Sequence, residues 1–224
     1  MSAARRVHAV LFDLDGTLVD TAPDMIGSLN ALRAQESLAP LLYPLARTQV
    51  SHGSTGMIKL AFPDADPERF EILRDRFLDL YAARLAQDSS LFDGCATVLD
   101  ALEEHGIHWG IVTNKPEWLT GPLLVALQLD KRPGCVVSGD TLPQRKPHPE
   151  PLLHAARALN VAPEDCLYVG DAQRDILAAR AASMPVLVAS YGYLGPDDDI
   201  VSWAADGDLA TPLDLLPWLG IAHQ

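Results

Sequence analysis

Apolar and polar positions along this chain follow two periods, and the change between them outlines its organisation. Residues 7–12, Val-His-Ala-Val-Leu-Phe, form a short apolar run that stops abruptly at Asp13, as a buried strand does at a sheet edge. After Asp20 the pattern turns helical. Thr21-Ala22-Pro23-Asp24 reads as a helix start, with proline early and an acid in the first turn, and Met25, Leu29 and Leu32 follow at helical spacing. Residues 40–66 are broken by prolines and glycines, with a helical piece over 55–62. Phe70, Leu73, Phe77, Leu80, Tyr81 and Arg84 recur at steps of three and four, which predicts an amphipathic helix of about five turns. None of this stretch reads as a strand. A small helical domain is therefore expected at 20–88, inserted into a larger unit made of 1–19 and 89–224.

From Leu91 onward, strand-like and helix-like runs alternate. Strands are predicted at 107–112, 135–137, 166–169 and 186–189, and helices at 95–105, 117–128, 149–160 and 174–183. Asp208-Leu209-Ala210 and a helix over 212–219 complete the unit. Such alternation predicts an α/β fold with a parallel sheet, both faces covered by helices through right-handed crossovers.

Composition narrows the possible partners. Of 224 residues, 48% are hydrophobic and 21% charged, enough apolar residue for a sizeable core. Seventeen basic residues against thirty acidic ones give a net charge of −13, which argues against nucleic acid as a partner. No apolar run approaches a bilayer span, and the run after Arg5 and Arg6 reaches Asp13 too early for a signal peptide. Cys95, Cys135 and Cys166 are odd in number and lack metal-type spacing. They read as buried thiols of a reducing, cytoplasmic protein.

Candidate chemistry begins where the first strand ends. Asp13 and Asp15 share one side of the backbone if the extended geometry persists, and two such charges need a cation or a shared proton. Gly16 allows a turn, and Thr17 offers a hydroxyl beside it. A calcium loop would need glycine where Leu18 stands, which excludes an EF-hand. A lone D-x-D is usually an acidic turn; D-x-D-G-T directly after an apolar strand is far more specific. This segment resembles the first motif of the haloacid dehalogenase superfamily, in its phosphatase branch. The resemblance continues through three further motifs in the same order and covers nearly the whole chain.

Thr113-Asn114 follows the strand 107–112. Alone, such a pair is a turn and helix cap; by the resemblance Thr113 holds the transferring phosphoryl group, with Asn114 beside it. Lys146, in Arg145-Lys146-Pro147-His148-Pro149, would otherwise be a solvated loop lysine, but the family's third motif makes it neutralise charge around the nucleophile. In Gly170-Asp171-Ala172-Gln173-Arg174-Asp175, two carboxylates four apart can be a helix N-terminus favoured by the dipole. Joined to the first motif they complete a magnesium site: Asp13, the main-chain carbonyl of Asp15, and Asp171 as ligands, with Asp175 supporting from behind.

The resemblance implies a Rossmann-like core with a helical cap inserted after the first strand, and a Mg2+-dependent phosphatase. Asp13 is then the nucleophile and Asp15 the general acid and base. Dehalogenases of the superfamily lack an acid at Asp15, which argues for phosphate over halide. His52, Gly53, Ser54 and Thr55, in a glycine-flanked stretch of the cap, are the candidates for substrate contacts, against a reading as a simple connector. Lys59 is the only cap lysine and suggests Schiff-base phosphonate hydrolysis, but its helical setting favours a surface role. The implied partner is a small-molecule phosphate ester, with no nucleic acid and no membrane, for a monomer or homodimer. The chain looks most similar to the phosphoglycolate phosphatase type, and local runs such as 108–116 lean toward the branch acting on N-acetylmuramic acid 6-phosphate. It departs from that branch at Thr55, where arginine is usual, and from the family at Ser183, where glycine often ends a helix. A sugar-phosphate mutase of the same fold and a catalytically silent binding protein are the alternatives.

Overall fold

A computed structural model describes residues 7–222; Arg5 and Arg6, weighed above as part of a leader, lie outside them. Six strands form one parallel sheet: β1 (Ala9–Phe12), β4 (His108–Val112), β5 (Cys135–Val137), β6 (Cys166–Gly170), β7 (Val186–Ala189) and β8 (Gly207–Leu209), in the order β5-β4-β1-β6-β7-β8. β1 is central, with Ala9 in register with His108 on one side and Cys166 on the other. The chain leaves β1 first toward β4 and later toward β6. This switch point at the carboxyl end of β1 is where open α/β sheets bind ligands.

Alternation along the strands explains why the sheet is covered twice. Val10 and Phe12 join Trp109, Ile111, Leu167 and Val169 in a core on one face, while Ala9 and Leu11 join Val112, Tyr168 and Val188 on the other. Helices α5 (Cys95–Glu104) and α9 (Leu215–Trp218) supply the first face; α7 (Glu150–Ala158) and α8 (Gln173–Ala181) supply the second. Ser183 ends α8 with φ of +60°, the left-handed conformation that favours glycine there.

Between β1 and α5 lie α1 (Ala22–Gln35), α2 (Tyr43–Arg47), a three-residue 3-10 turn (Val50–His52), α3 (Gly53–Ala61) and α4 (Pro67–Arg84). Met25, Leu29, Leu32, Leu73, Phe77 and Tyr81 are buried together, as their helical spacing predicts. The apolar cluster also takes in Leu119, from α6 (Glu117–Ala126), and Tyr193. The helical insertion thus packs onto the sheet unit.

The ends of the insertion carry a feature absent from the sequence reading. β2 (Val19–Asp20) and β3 (Ser90–Leu91) pair antiparallel, so entry and exit are stitched side by side. Two-residue strands have no periodicity to detect. Asp24 reinforces the stitch: fully buried, its carboxylate accepts hydrogen bonds from the N–H groups of Asp88 (3.0 Å) and Ser89 (2.9 Å) and from the Ser89 hydroxyl (2.6 Å). The acid of the first turn of α1 thus also fastens the returning segment at 88–89 to that helix.

Candidate active site

Four segments meet at the switch point. Phe12 is the last residue of β1, but the Asp13 N–H still donates to the Val169 carbonyl at 2.9 Å, which keeps Asp13 at the sheet edge. Its carboxylate is buried. Lys146 Nζ lies 3.0 Å from Oδ1, the Leu14 N–H donates to the same oxygen at 2.7 Å, and Arg174 Nη2 stands 3.5 Å from Oδ2. Burial alone would raise this carboxyl; the Lys146 and Arg174 charges outweigh it and hold Asp13 below the ordinary carboxylate range. An ionised, pinned carboxylate at a ligand crevice is what a nucleophile requires.

The expectation that Asp13 and Asp15 share one side required extended backbone, and the strand does not continue. Gly16 turns at φ of +88°. A β-carbon there would stand 2.1 Å from Asp171 Oδ2, so glycine alone admits this approach. Asp15 Oδ1 accepts from the Thr21 hydroxyl at 2.7 Å and from Lys115 Nζ at 3.1 Å. The acidic cluster among the described residues is Asp13, Asp171 and Asp175, with oxygens within 4.8 Å of one another. The Asp15 side chain has turned out of it, so only its main-chain carbonyl is left for a metal.

The residues fit a hard cation. Asp171 follows β6; its Oδ2 accepts from the Ser51 hydroxyl (2.6 Å) and the Tyr193 N–H (3.0 Å), while Oδ1 is buried without a partner among the described residues. Burial first, then the charges of Asp13 and Asp175, push its carboxyl up to about 7. A buried oxygen with no donor, among crowded carboxylates, is relieved by a divalent ion with oxygen preference. Asp175 is already engaged, by Lys146 Nζ at 2.7 Å and the Ala172 N–H at 3.1 Å, which suits a supporting place.

Lys146 is buried with four oxygens around its ammonium: Asp13, Asp175, the Val112 carbonyl (2.8 Å) and the Tyr168 hydroxyl (2.8 Å). Asn114 fixes the lysine's backbone. Its amide donates to the Lys146 carbonyl at 3.0 Å and its Oδ1 accepts the Lys146 N–H at 3.1 Å. Asn114 thus positions Lys146 with its side chain and also lines the cleft beside Thr113. Thr113 follows β4, and its hydroxyl accepts the Lys115 N–H at 3.1 Å. A cleft of about 970 Å³ opens over Asp13, Asp15 and Thr113. His52, Gly53, Ser54 and Thr55 line its far wall, as does Lys59, which is exposed. These four are not a loose loop: His52 ends the 3-10 turn, and Gly53 to Thr55 open α3.

Four site residues received no role from the sequence. Arg174 lies inside the fourth motif, 170–175, and Lys115 inside the run 108–116, so proximity to motif residues was an available signal. Ser51 immediately precedes the candidates His52 to Thr55. Tyr81 looked like one more core position. Lys115 is buried, with Nζ 3.1 Å from Asp15 Oδ1 and 2.8 Å from the Tyr81 hydroxyl. Burial disfavours its charge, but Asp15 and Tyr81 more than compensate and raise its pKa.

Comparison with known proteins decides the lineage. A family model for haloacid dehalogenase-like hydrolases matches residues 10–189. The chain belongs to the haloacid dehalogenase-like hydrolases. Among hydrolases it resembles is a phosphoglycolate phosphatase of Xanthomonas campestris pv. campestris (strain 8004), 49% identical over 89% of this chain and 90% of that protein. An N-acetylmuramic acid 6-phosphate phosphatase of Pseudomonas putida (strain KT2440) is 40% identical over 94% of this chain and 95% of its own. The crystal structure described as a predicted phosphoglycolate phosphatase from Haemophilus somnus 129PT superposes with a TM-score of 0.84 at 29% identity, covering 95% of this chain and 97% of that one. For this hydrolase, no helix among the described residues is long and apolar enough to cross a membrane.

Proposed function

We propose that this hydrolase is a magnesium-dependent phosphomonoesterase that cleaves a small anionic phosphate ester through an aspartyl-phosphate on Asp13. The observation that carries this reading is the buried Asp13 carboxylate, held ionised by Lys146 and Arg174 at the sheet's switch point. Asp13 attacks phosphorus in line as the ester P–O bond breaks, and the departing oxygen takes a proton from Asp15. Water then attacks the aspartyl-phosphate, and Asp15 accepts its proton. Thr113 donates a hydrogen bond to the phosphoryl group, and Lys146 and Arg174 offset its growing charge. Asp13, the Asp15 carbonyl and Asp171, with Asp175 behind, would hold magnesium, which would supply the neutralisation that lets two anions meet.

The helical segment 20–88 serves as a cap on the core of 1–19 and 89–224. Three contacts support this: Arg47 donates to the Gly192 carbonyl at 2.8 Å, Ser51 to Asp171, and Lys115 to Tyr81. His52, Gly53, Ser54 and Thr55 would then face the substrate's distal end.

Phosphoglycolate and N-acetylmuramic acid 6-phosphate are the leading substrates, by the activities named for the relatives. Phosphate release with magnesium, from both esters and with wild type and Asp13→Asn, tests the reading. Turnover that the variant abolishes supports it; an inactive wild type, or a fully active variant, overturns it.

A further inference from the structure

The mechanism above gives Asp15 a proton to deliver but leaves open what aims it. Lys115 is the cation beside it. The ammonium is withdrawn from water, with its side chain 5% exposed, and a buried lysine must be paired to persist. Its acceptors come from different parts of the molecule. Asp15 follows β1, whereas Tyr81 lies on α4 of the helical insertion. Nζ also stands 4.5 Å from the centre of the Tyr81 ring, within cation–π range.

The hydrogen bonds at Asp15 are unevenly divided. Oδ1 takes both the Lys115 ammonium and the Thr21 hydroxyl, and Oδ2 accepts no hydrogen bond from the described residues. Asp15 and Lys115 both line the cleft. One oxygen is thus pinned by a charge-assisted bond while the other is left without one.

The geometry points to Lys115 as a positioning residue that aims Asp15 Oδ2 at the leaving group, with Tyr81 making that aim depend on the helical insertion's being seated. This rests on the phosphatase reading. In the first transfer the bond from Asp13 to phosphorus forms, the P–O bond to the substrate breaks, and the departing oxygen takes the proton from Asp15; the attacking water later returns one. Displacing α4 removes one of the ammonium's two oxygen partners, so Lys115 and Asp15 lose their fixed arrangement when the cleft opens. The acid would then be aimed only when water is excluded.

Leaving-group dependence separates positioning from general damage. An alkyl phosphate such as phosphoglycolate needs its leaving oxygen protonated, whereas p-nitrophenyl phosphate does not. kcat/KM for both esters is compared in wild type, Lys115→Met and Tyr81→Phe, because it reports the first phosphoryl transfer. Lys115→Met is expected to lose about 100-fold on the alkyl ester and less than about threefold on the aryl ester. Tyr81→Phe, which removes one hydroxyl and keeps the ring, is expected to lose about tenfold on the alkyl ester alone. It decides the matter should Lys115→Met fold poorly. Equal losses on both esters, or unchanged alkyl-ester turnover in both variants, overturn the proposal while the phosphatase reading stands. A selective loss confined to Lys115→Met overturns the part given to Tyr81. A wild type inactive on p-nitrophenyl phosphate, phosphoglycolate and N-acetylmuramic acid 6-phosphate alike overturns the phosphatase reading itself.

Discussion

Two buried lysines, Lys146 and Lys115, each hold an aspartate of the first motif, and they do so in opposite ways. Lys146 is completely enclosed, and its partners Asp13, Asp175, Tyr168 and the Val112 carbonyl all belong to the sheet unit. Lys115 bridges the sheet unit and the helical insertion through Asp15 and Tyr81. The partners of Asp13 are therefore all drawn from the sheet unit. The acid's environment is shared between two parts of the chain. Under the proposed mechanism, a site built this way would keep its attacking group fixed and make its proton donor conditional.

Variants can break this contrast at several points. The largest effect belongs to Asp13→Asn, which removes the attacking oxygen and should lower kcat by at least about 10⁴-fold, read by phosphate release. Circular dichroism should show the fold retained. Lys146→Met comes next. It leaves Asp13 and Asp175 as buried charges without their cation, and urea unfolding should register a loss of about 3–5 kcal/mol. An unchanged midpoint would mean that the enclosed lysine is not holding that side together.

Asp24→Asn probes the stitch between the parts. It weakens the hydrogen bonds to Asp88 and Ser89 and should cost about 1–3 kcal/mol. Faster proteolysis near residues 85–90 would accompany the loss, whereas damage spread evenly through the chain would argue against a local clamp. Asp171→Asn has the opposite sign. It removes one of three crowded carboxylates, so the metal-free protein should melt higher than wild type. The rise in Tm that magnesium gives wild type should disappear. The smallest effect concerns the cysteines. Burial pushes Cys95 and Cys166 up to about 12 and Cys135 up to about 11, so all three should resist alkylation at neutral pH until the protein unfolds.

The same contrast explains what the sequence made legible. β1, β4, β5, β6 and β7 stood out because each is a parallel strand with three or more apolar residues, half-buried in β5 and largely buried in the others, ended by a turn or a polar group. Lys146 and Asp171 stood out because their motifs fix several neighbours at once. The direction of Asp15 did not, because alternation holds only while the backbone is extended, and Gly16 bends it within one residue. β2 and β3 are too short to carry a period. Asp24 looked like a helix-dipole acid, since nothing local shows that residues 88 and 89 return to it. Tyr81 looked like core for the same reason: its hydroxyl meets Lys115 across 34 positions of sequence. Local chemistry was readable, and contacts between the two parts of the chain were not.

The central claim is that phosphorus passes through a covalent bond to Asp13. The most direct test is to acid-quench the enzyme during turnover with magnesium and an alkyl phosphate, reduce any acyl phosphate with borohydride, and map the peptides by mass spectrometry. A reduced, homoserine-type residue at position 13, absent from Asp13→Asn and from enzyme without substrate, is the predicted result. Modification at another carboxylate, or rapid turnover with position 13 never modified, would contradict the account.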